Sequence, residues 1–591
     1  MHFTAAPRPP SDPQSRFRCI SDIIVHRAEK SPDKDAFVLL GMDGASKSYT
    51  WKKLANKISA LASQMSKKGI RAGDHCILVF THSLSAVIAL HACLYTGIIP
   101  VPHHLIDILR LEEDAPSLLS LVAQTNAQAI LCDELAEDAL RSKPFVSICK
   151  RYLSGASKSQ YAPLPTIHNV EGARSTKQLG QDGLALDPKF LLNESVPAMI
   201  TVNYDASCNR TCVIVNHSKL LLHVQSLVNR LGLTHSTPIL SSVRTHSSLG
   251  LYLTMAGIVA GSTTVLLPPQ LFSQSPDLLL QSISQYSIKC AYMTLPMLDY
   301  LHEHYPMEQA QVQSTLGSLP ALIVAHEHEH MTPYPLALPN ARPTLGCSGN
   351  MILSLGSSAP TILTLDRTAL RFGFIRPVAP SPEKGSDQVT FVSAGECLPG
   401  SALAIVDPTN KSLQPSNKVG EICVASTFNV DGFLNQTNDN FVSIPGQGNT
   451  FLSTGLLGFM HGGQLFCLGP LASILQLHPR LIFAPDVEEA INSCSPSIDD
   501  CVVFSVPSDT ASTKPLIIVV IELTPDGLPF LSAIPTLCLV LHESFELIVD
   551  KVLFLEPGML ARSRLMEKQR ERIRKAFITG SLPSIFTFQM T

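Results

Sequence analysis

Charge is scarce in this chain. Asp, Glu, Lys and Arg make up 16% of its 591 residues, well under the ~25% of an average soluble protein. Neither sign dominates: 44 Lys and Arg stand against 48 Asp and Glu, a formal net charge of −4. Polyanion binding draws on clustered basic charge, so no nucleic-acid partner is expected. Low charge combined with 45% hydrophobic residues excludes an intrinsically disordered chain. Fifteen cysteines are spread from Cys19 to Cys538 without the even short-range spacing of a disulfide framework. Met1 to Arg18 contains Pro and Arg but no apolar core, so no secretory signal is expected there. Reduced, buried cysteines and a cytoplasmic protein, at most peripheral to membranes, are the expectation. There is no internal repeat.

Between Arg244 and Asp277 the chain carries no Asp, Glu, Lys or Arg. Leu249–Leu267 has the ~20 residues a membrane span needs. It also holds Gly250, Gly257, Gly261 and Ser262-Thr263-Thr264, and it ends at Pro268-Pro269. It therefore reads as a buried helix, a turn and a strand, with no transmembrane segment.

At ~150 residues per domain, this length predicts two or more units. Residues 1–18 read as a disordered tail, with structure beginning at Ser21 as a helix cap. Thr50 caps a helix with Leu54, Ile58, Leu61 and Met65 on one face, stopped by Gly69. The apolar run Cys76–Phe80, a helix through Leu84, Val87, Ile88 and Leu94 stopped at Gly97, and the strand Ile98–Val101 make a β-α-β unit. That unit demands a parallel sheet with helices on its faces. Further strands are expected at Ala198–Val202, Val213–Val215, Val265–Leu267 and Leu322–Val324, with a helix over Lys219–Leu231 stopped by Gly232. From Gly420 the pattern changes to short strands with turn residues. A smaller unit follows Gly469, with strands at Cys501–Val506 and Leu516–Leu523 and a basic helix near the end.

Several ordered motifs carry a resemblance. Val419-Gly420-Glu421-Ile422, Asp431-Gly432-Phe433, Phe451–Phe459 around Thr454-Gly455, and Gly463–Gly469 resemble the late core motifs of the adenylate-forming superfamily. That superfamily includes acyl-CoA synthetases, luciferases, peptide-synthetase adenylation domains and fatty acyl-AMP ligases. Ser48-Tyr49-Thr50-Trp51, Gly73-Asp74-His75 and Leu94–Val101-Pro102 resemble its opening. The segment Thr364–Leu370 is similar to the insertion of fatty acyl-AMP ligases. Met566–Arg570 with Arg574–Phe577 is similar to the C-terminus of the disco-interacting protein 2 family, whose members carry two tandem ligase-like domains; this chain resembles the second.

The resemblance implies an α/β fold. A large AMP-binding-like domain spans residues 19–469, with parallel sheets and a β-rich part, and a C-terminal α+β lid spans 470–591. It also implies ATP with Mg²⁺ as cofactors, no structural metal, a fatty acid or acyl-AMP-like ligand, a companion ligase-like domain, and a role in fatty-acid and lipid metabolism. A phosphate loop in this superfamily is rich in Ser, Thr and Gly and ends in Pro-Lys-Gly, so that backbone N–H groups and a Lys converge on phosphate. Here the segment is Asn203–Cys212, with Asp205, Ser207, Asn209, Arg210 and Thr211 and no glycine. Thr211 takes the place of the Lys, and Arg210 is the candidate replacement cation; an ordinary strand-to-strand loop is the alternative. In the adenine segment Gly346, Cys347, Ser348 and Asn350 stand where Thr-Glu is usual. At Thr454-Gly455-Leu456 the ribose-binding Asp is replaced by Leu456, which has no hydroxyl partner to offer. Pro470 replaces an Arg, and Ser473 stands at the hinge position. Lys568 is the candidate catalytic lysine, a solvated charge on a basic helix being the alternative.

His246 and Gly250 match the acyl-pocket region, though His246 is open to reading as a core histidine. His326, His328 and His330 alternate as strand-spaced zinc ligands do, or belong to a solvated loop. Cys208 and Cys212 read as buried thiols. Two functions follow. One is a ligase-like domain with a degenerate ATP site and a regulatory or acyl-sensing role. The other is a working ATP-dependent acyl-AMP ligase or acyl-CoA synthetase acting on a fatty acid.

Overall fold

A computed structural model describes residues 3–5, 17–41, 45–155, 158–173, 179–180, 183–186, 196–204, 210–246, 248–305, 308–327, 334, 338–356, 360–381, 387–435, 439–477, 480–507, 515–525, 534–562 and 568–589. Two parallel sheets form its larger part. One has nine strands, parallel from Asp35–Leu40 through Thr264–Leu266, Ile239–Ser241, Cys290–Thr294 and Ala321–Glu327 to Ala341–Cys347. Antiparallel strands close both of its edges, Ser46–Thr50 at one and Asn350–Leu355 with Glu396–Cys397 at the other. The second sheet is all parallel, in the order Ile99–His103, His75–Val79, Ala129–Cys132, Thr166–Asn169. Its inner strands His75–Val79 and Ala129–Cys132 read as near-continuous apolar runs, as strands buried on both faces do.

The local signals explain the helices. Thr50 accepts from Lys53 N at 3.3 Å, and Leu54, Ile58, Leu61 and Met65 are buried along Trp51–Lys67. Removing each such side chain from water contributes about 1.5–3 kcal/mol. Gly97, at φ +75°, ends the helix Leu84–Thr96, and Gly232, at φ +63°, ends His217–Leu231. No described helix is long and apolar enough to cross a membrane. The uncharged stretch folds as the helix Ser248–Ala260, a turn at Gly261, and the strand Thr264–Leu266.

Two expectations at the N-terminus need correction. Phe3–Ala5 is not tail: it pairs antiparallel with Ser401–Val406 at the edge of the β-rich sheet. Three residues are too few to show a strand period, and an open sheet edge recruits them. Ser21 is not a cap either. The helix starts at Ile20 after Cys19, Ser21 is buried inside its first turn, and Arg18 N is held by Asp22 at 3.0 Å.

The C-terminal residues build their own four-stranded sheet from Ile498–Val506, Leu516–Leu523, Lys551–Leu555 and Phe586–Gln589. The helices Ala484–Asn492, Ile534–Phe545 and Arg570–Ile578 pack on it. Polar contacts tie this unit to the rest. Arg371 Nη1 donates to Ser544 O at 3.1 Å, Arg572 meets Glu113 at 3.4 Å, and Arg570 Nη1 donates to Ser473 Oγ at 3.1 Å.

Candidate functional site

Parallel sheets leave a crevice beyond the carboxyl ends of their strands, where the connecting segments diverge. In this chain the strand ends of both parallel sheets meet at one cavity of about 440 Å³. From the smaller sheet, the segment after His75–Val79 brings Phe80, Thr81 and His82, and Ile99–His103 ends at the wall with His103. From the larger sheet, the segment after Ile239–Ser241 brings Arg244 and His246, and the helix Ser248–Ala260 adds Leu251 and Met255. Asp133 fixes the first of these segments, accepting from Thr81 N at 3.0 Å, Thr81 Oγ1 at 2.5 Å and Ser83 Oγ at 3.2 Å. One part of the wall is apolar. The other carries five histidines, two arginines and Asp107.

His246 is on this wall, 6.4 Å from the His104 ring and edge-on to it. Gly250 is not. Its α-carbon lies so close to the backbone of Arg244 that an added Cβ would sit 2.1 Å from Arg244 O. The glycine lets the helix approach the segment that carries Arg244. Sequence reasoning passed over His82, His91, His103, His104 and Arg110. The readable signal was histidines and a cation placed at or after the carboxyl ends of a β-α-β unit.

The nucleotide positions gather in part. Asn203 Nδ2 donates to Ser348 O at 3.1 Å, and Thr211 Oγ1 donates to Asn203 O at 3.4 Å. A Cβ on Gly349 would meet Leu452 at 2.5 Å, so the adenine segment lies against the strand Thr450–His461 that carries Thr454. Within that strand Thr454 Oγ1 donates to Ile422 O at 2.7 Å and accepts from Leu456 N at 3.2 Å. Gly455, at φ +70°, directs its N–H to Glu421 at 3.4 Å. Leu456 is fully buried and opposite Pro470. Asn350 is buried, and its Nδ2 donates to Asn429 Oδ1 at 2.9 Å. Gly346 is packed on Met351 O, where a Cβ would come to 2.3 Å. Burial pushes the Cys347 thiol up to about 11.

Arg210 does not join this group. Its guanidinium donates to Ser117 O at 2.7 Å, Ser117 Oγ at 3.1 Å, Ser120 Oγ at 2.9 Å and Gln124 Oε1 at 3.0 Å, all on the helix Leu111–Thr125. Asp205, Ser207, Cys208 and Asn209 lie outside the described residues, as do His328 and His330. His326 is buried against Tyr334, Nε2 to Oη 3.3 Å. Burial pushes its imidazole down to about 4. Among the described residues no group of His, Cys, Asp and Glu is arranged to hold a metal ion. Among the described residues no cysteine is in a disulfide, and Cys212 is a buried thiol.

Lys568 is neither on a helix nor solvated. It precedes Arg570–Ile578, and its ammonium donates to Glu488 Oε2 at 3.0 Å, Asp500 Oδ1 at 2.8 Å and Cys501 O at 2.8 Å. Three acceptors use up its three donors. Burial alone would lower this lysine, but the Glu488 charge and the Asp500 hydrogen bond outweigh it, and its pKa is raised. Arg570 joins the same cluster through Glu488 Oε1 at 2.6 Å, and Arg562 bridges Asp500 at 2.9 Å and Glu522 at 2.7 Å.

The sequence matches the family model for the AMP-binding enzyme over residues 24–188 and 211–434. The chain belongs to the AMP-binding enzyme family. A second model, the Disco-interacting protein 2-like AMP domain, matches residues 476–587. Disco-interacting protein 2 homolog A of Homo sapiens is 24% identical over 98% of this chain and 38% of its own length. An uncharacterized protein of Schizosaccharomyces pombe is 29% identical over 95% of this chain and 38% of its own. The chain thus spans little more than a third of these relatives. A long-chain-fatty-acid–AMP ligase of Mycobacterium marinum is 23% identical over 80% of this chain and 82% of that protein. Among solved structures, the fatty acyl-adenylate ligase of L. pneumophila in complex with acyl adenylate and pyrophosphate superposes with a TM-score of 0.66 at 18% identity, covering 97% of this chain and 98% of that one. This establishes the adenylate-forming fold, as expected from the motifs.

At the described positions where the resemblance expects nucleotide contacts, other side chains stand. The position expected to hold ribose is the buried Leu456, and the position expected to hold Mg²⁺ is Asn350, whose Nδ2 donates to Asn429 and whose buried Oδ1 has no hydrogen-bond partner among the described residues. The two candidate cations are bonded within the chain, Arg210 through both Nη atoms and Lys568 through its ammonium.

Proposed function

We propose that this chain is a fatty acyl-AMP ligase-like domain that binds an acyl group and has lost adenylation, acting as an acyl-sensing or regulatory module in lipid metabolism. The carrying observation is an asymmetry. Leucine stands at the ribose position and the two candidate cations are bonded within the chain, whereas a cavity with an apolar wall persists at the strand ends. An apolar cavity needs only hydrophobic lining, each buried CH₂ contributing ~0.8 kcal/mol. A phosphate and Mg²⁺ site needs several charged groups placed together. On this reading residues 19–469 form the ligand-binding body and 470–591 a lid pinned by Arg570 to Ser473. The protein works in the cytoplasm, at most peripheral to membranes, beside a companion ligase-like domain, which agrees with its covering 38% of its longer relatives.

The alternative, an active acyl-AMP ligase, draws on the similarity to the mycobacterial ligase. Pyrophosphate exchange with fatty acids and ATP separates the two. Loss of one preorganised electrostatic contact costs ~10²–10³ in rate, and several are absent together, so exchange is expected to be undetectable. Robust exchange abolished by Arg210→Ala or Lys568→Ala would establish the ligase instead.

A further inference from the structure

At the edge of the cavity two aliphatic side chains stand in water. We propose that the turn 107–110 is a lipid-docking tip, which inserts Ile108 and Leu109 into a zwitterionic bilayer and so brings the cavity edge to the lipid. This deepens the acyl-binding reading by naming a bilayer as the source of the acyl ligand, and rests on it for that ligand alone.

Three observations carry the proposal. First, the tip is built. Leu109 is 89% exposed, the most of any large apolar side chain among the described residues, and Ile108 is 69% exposed. Ile106 and Leu111, on either side, are buried in the core beneath. Between them Asp107 N donates to Asp114 Oδ2 at 2.7 Å, Leu109 N to Asp107 Oδ1 at 2.9 Å and Arg110 N to Asp107 O at 3.0 Å. The fold thus fixes two adjacent aliphatic groups in water, where burial against an apolar partner is favourable. A third exposed aliphatic, Leu135, follows the strand Ala129–Cys132 at the same end of this sheet.

Second, the chemistry fits a bilayer. Protein interfaces draw their binding energy mostly from Trp, Tyr and Arg, with Leu under-represented, whereas the crown of this turn is aliphatic. The N–H groups of Asp107, Leu109 and Arg110 are spent internally, which leaves no edge for strand addition. The charges beside the tip are of both signs. Arg110 lies 3.9 Å from Glu113, which also meets Arg572 at 3.4 Å, and Arg151 pairs with Glu112. Asp107 and Asp114 hold the turn itself. Anionic leaflets are recognised by clustered basic residues. This mixed set has no basic excess and suits headgroups that carry both charges.

Third, the tip is continuous with the cavity. Asp107 and Arg110 line it, as do the apolar Leu78, Phe80, Leu90 and Leu251, whereas Ile108 and Leu109 do not. Insertion of the crown therefore sets the cavity edge at the headgroup level, next to acyl chains.

The test is flotation of the full chain with phosphatidylcholine vesicles. The chain is expected to float with them, and added phosphatidylserine or salt is expected to change this little. Ile108→Ser and Leu109→Ser are each expected to weaken association about tenfold or more, the worth of burying one aliphatic side chain. Ile548→Ser, at a 73% exposed position of the C-terminal unit, is expected to change nothing. Phosphatidylcholine with brominated chains is expected to quench the added emission of Leu109→Trp and not that of the parent, whose Trp51 is fully buried. Calorimetric titration with dodecanoate, without vesicles, tests the acyl-binding reading separately, and Leu109→Ser is expected to bind as the parent does. No flotation of the parent, flotation that needs phosphatidylserine, or equal losses in all three serine variants would overturn the docking tip. Flotation without dodecanoate binding would overturn the acyl-binding reading and leave docking standing.

Discussion

Acid is expected to unfold the larger part of this chain before its C-terminal unit. Four histidines of the larger part, His91, His217, His223 and His326, are at most 5% exposed. Burial pushes each imidazole from 6.5 down to about 4. A depressed imidazole binds fewer protons in the folded than in the unfolded state between those two values. Stability therefore falls as pH drops from about 6.5 to about 4. Each group contributes up to about 3 kcal/mol across that window. Four of them reach the ~5–15 kcal/mol that a whole domain usually commands. The C-terminal unit responds elsewhere. Burial alone would raise Asp500, but hydrogen bonds from Lys568 and Asn492 outweigh it and its pKa is lowered from 3.8. Its contribution is present above the unfolded value and is lost only as pH falls below that. Trp51, the single tryptophan, is fully buried in the larger part and reports on it alone. Its emission is expected to shift to the red between pH 6 and 4 while far-UV circular dichroism retains a folded remainder. Unchanged emission down to pH 4 would show that these imidazoles are not held neutral.

Glu488→Ala is expected to be the most damaging single change in the C-terminal unit. Glu488 is 3% exposed and accepts from Arg570 at 2.6 Å, Val503 N at 2.8 Å and Lys568 at 3.0 Å. Removing the carboxylate leaves a buried backbone N–H without an acceptor and takes from Arg570 its one anionic partner among the described residues, while Lys568 keeps Asp500, and breaking such a buried arrangement costs about 3–5 kcal/mol. Lys568→Ala leaves Glu488 bonded to Arg570 and Val503, so about 1.5–3 kcal/mol is expected. Denaturant unfolding of the two variants, followed by circular dichroism, gives the order. If Lys568→Ala proves neutral in stability yet abolishes an adenylation activity, then Lys568 belongs to chemistry, and its role in the ion cluster is incidental.

What the sequence revealed follows the range of the forces involved. Thr50, Gly97 and Gly232 act within one turn of their own helices, so their roles were legible from neighbours alone. The parallel strands were legible because burial on two faces leaves continuous apolar runs. The solvated reading of Lys568 fails because its partner Glu488 lies 80 residues away, and a basic stretch looks solvated until an acidic partner is placed beside it. Arg210 was offered to a phosphate because it sits in the expected segment, but the helix Leu111–Thr125, about 90 residues earlier, takes its guanidinium. Gly250 was assigned to the acyl pocket by motif, whereas its missing side chain serves the approach of Arg244. The cavity histidines stayed hidden because they come from a strand end, a helix and a loop that only the parallel sheet brings together.

The proposed function turns on the loss of nucleotide binding. Calorimetric titration of the full chain with Mg·ATP, alone and after saturation with dodecanoate, tests it directly. No saturable heat up to millimolar Mg·ATP is expected in either case, because the ribose position is Leu456, and both Nη atoms of Arg210 and the ammonium of Lys568 are bonded within the chain. Saturable binding below a millimolar, weakened by placing Ala at Arg210 or Lys568, would contradict the account.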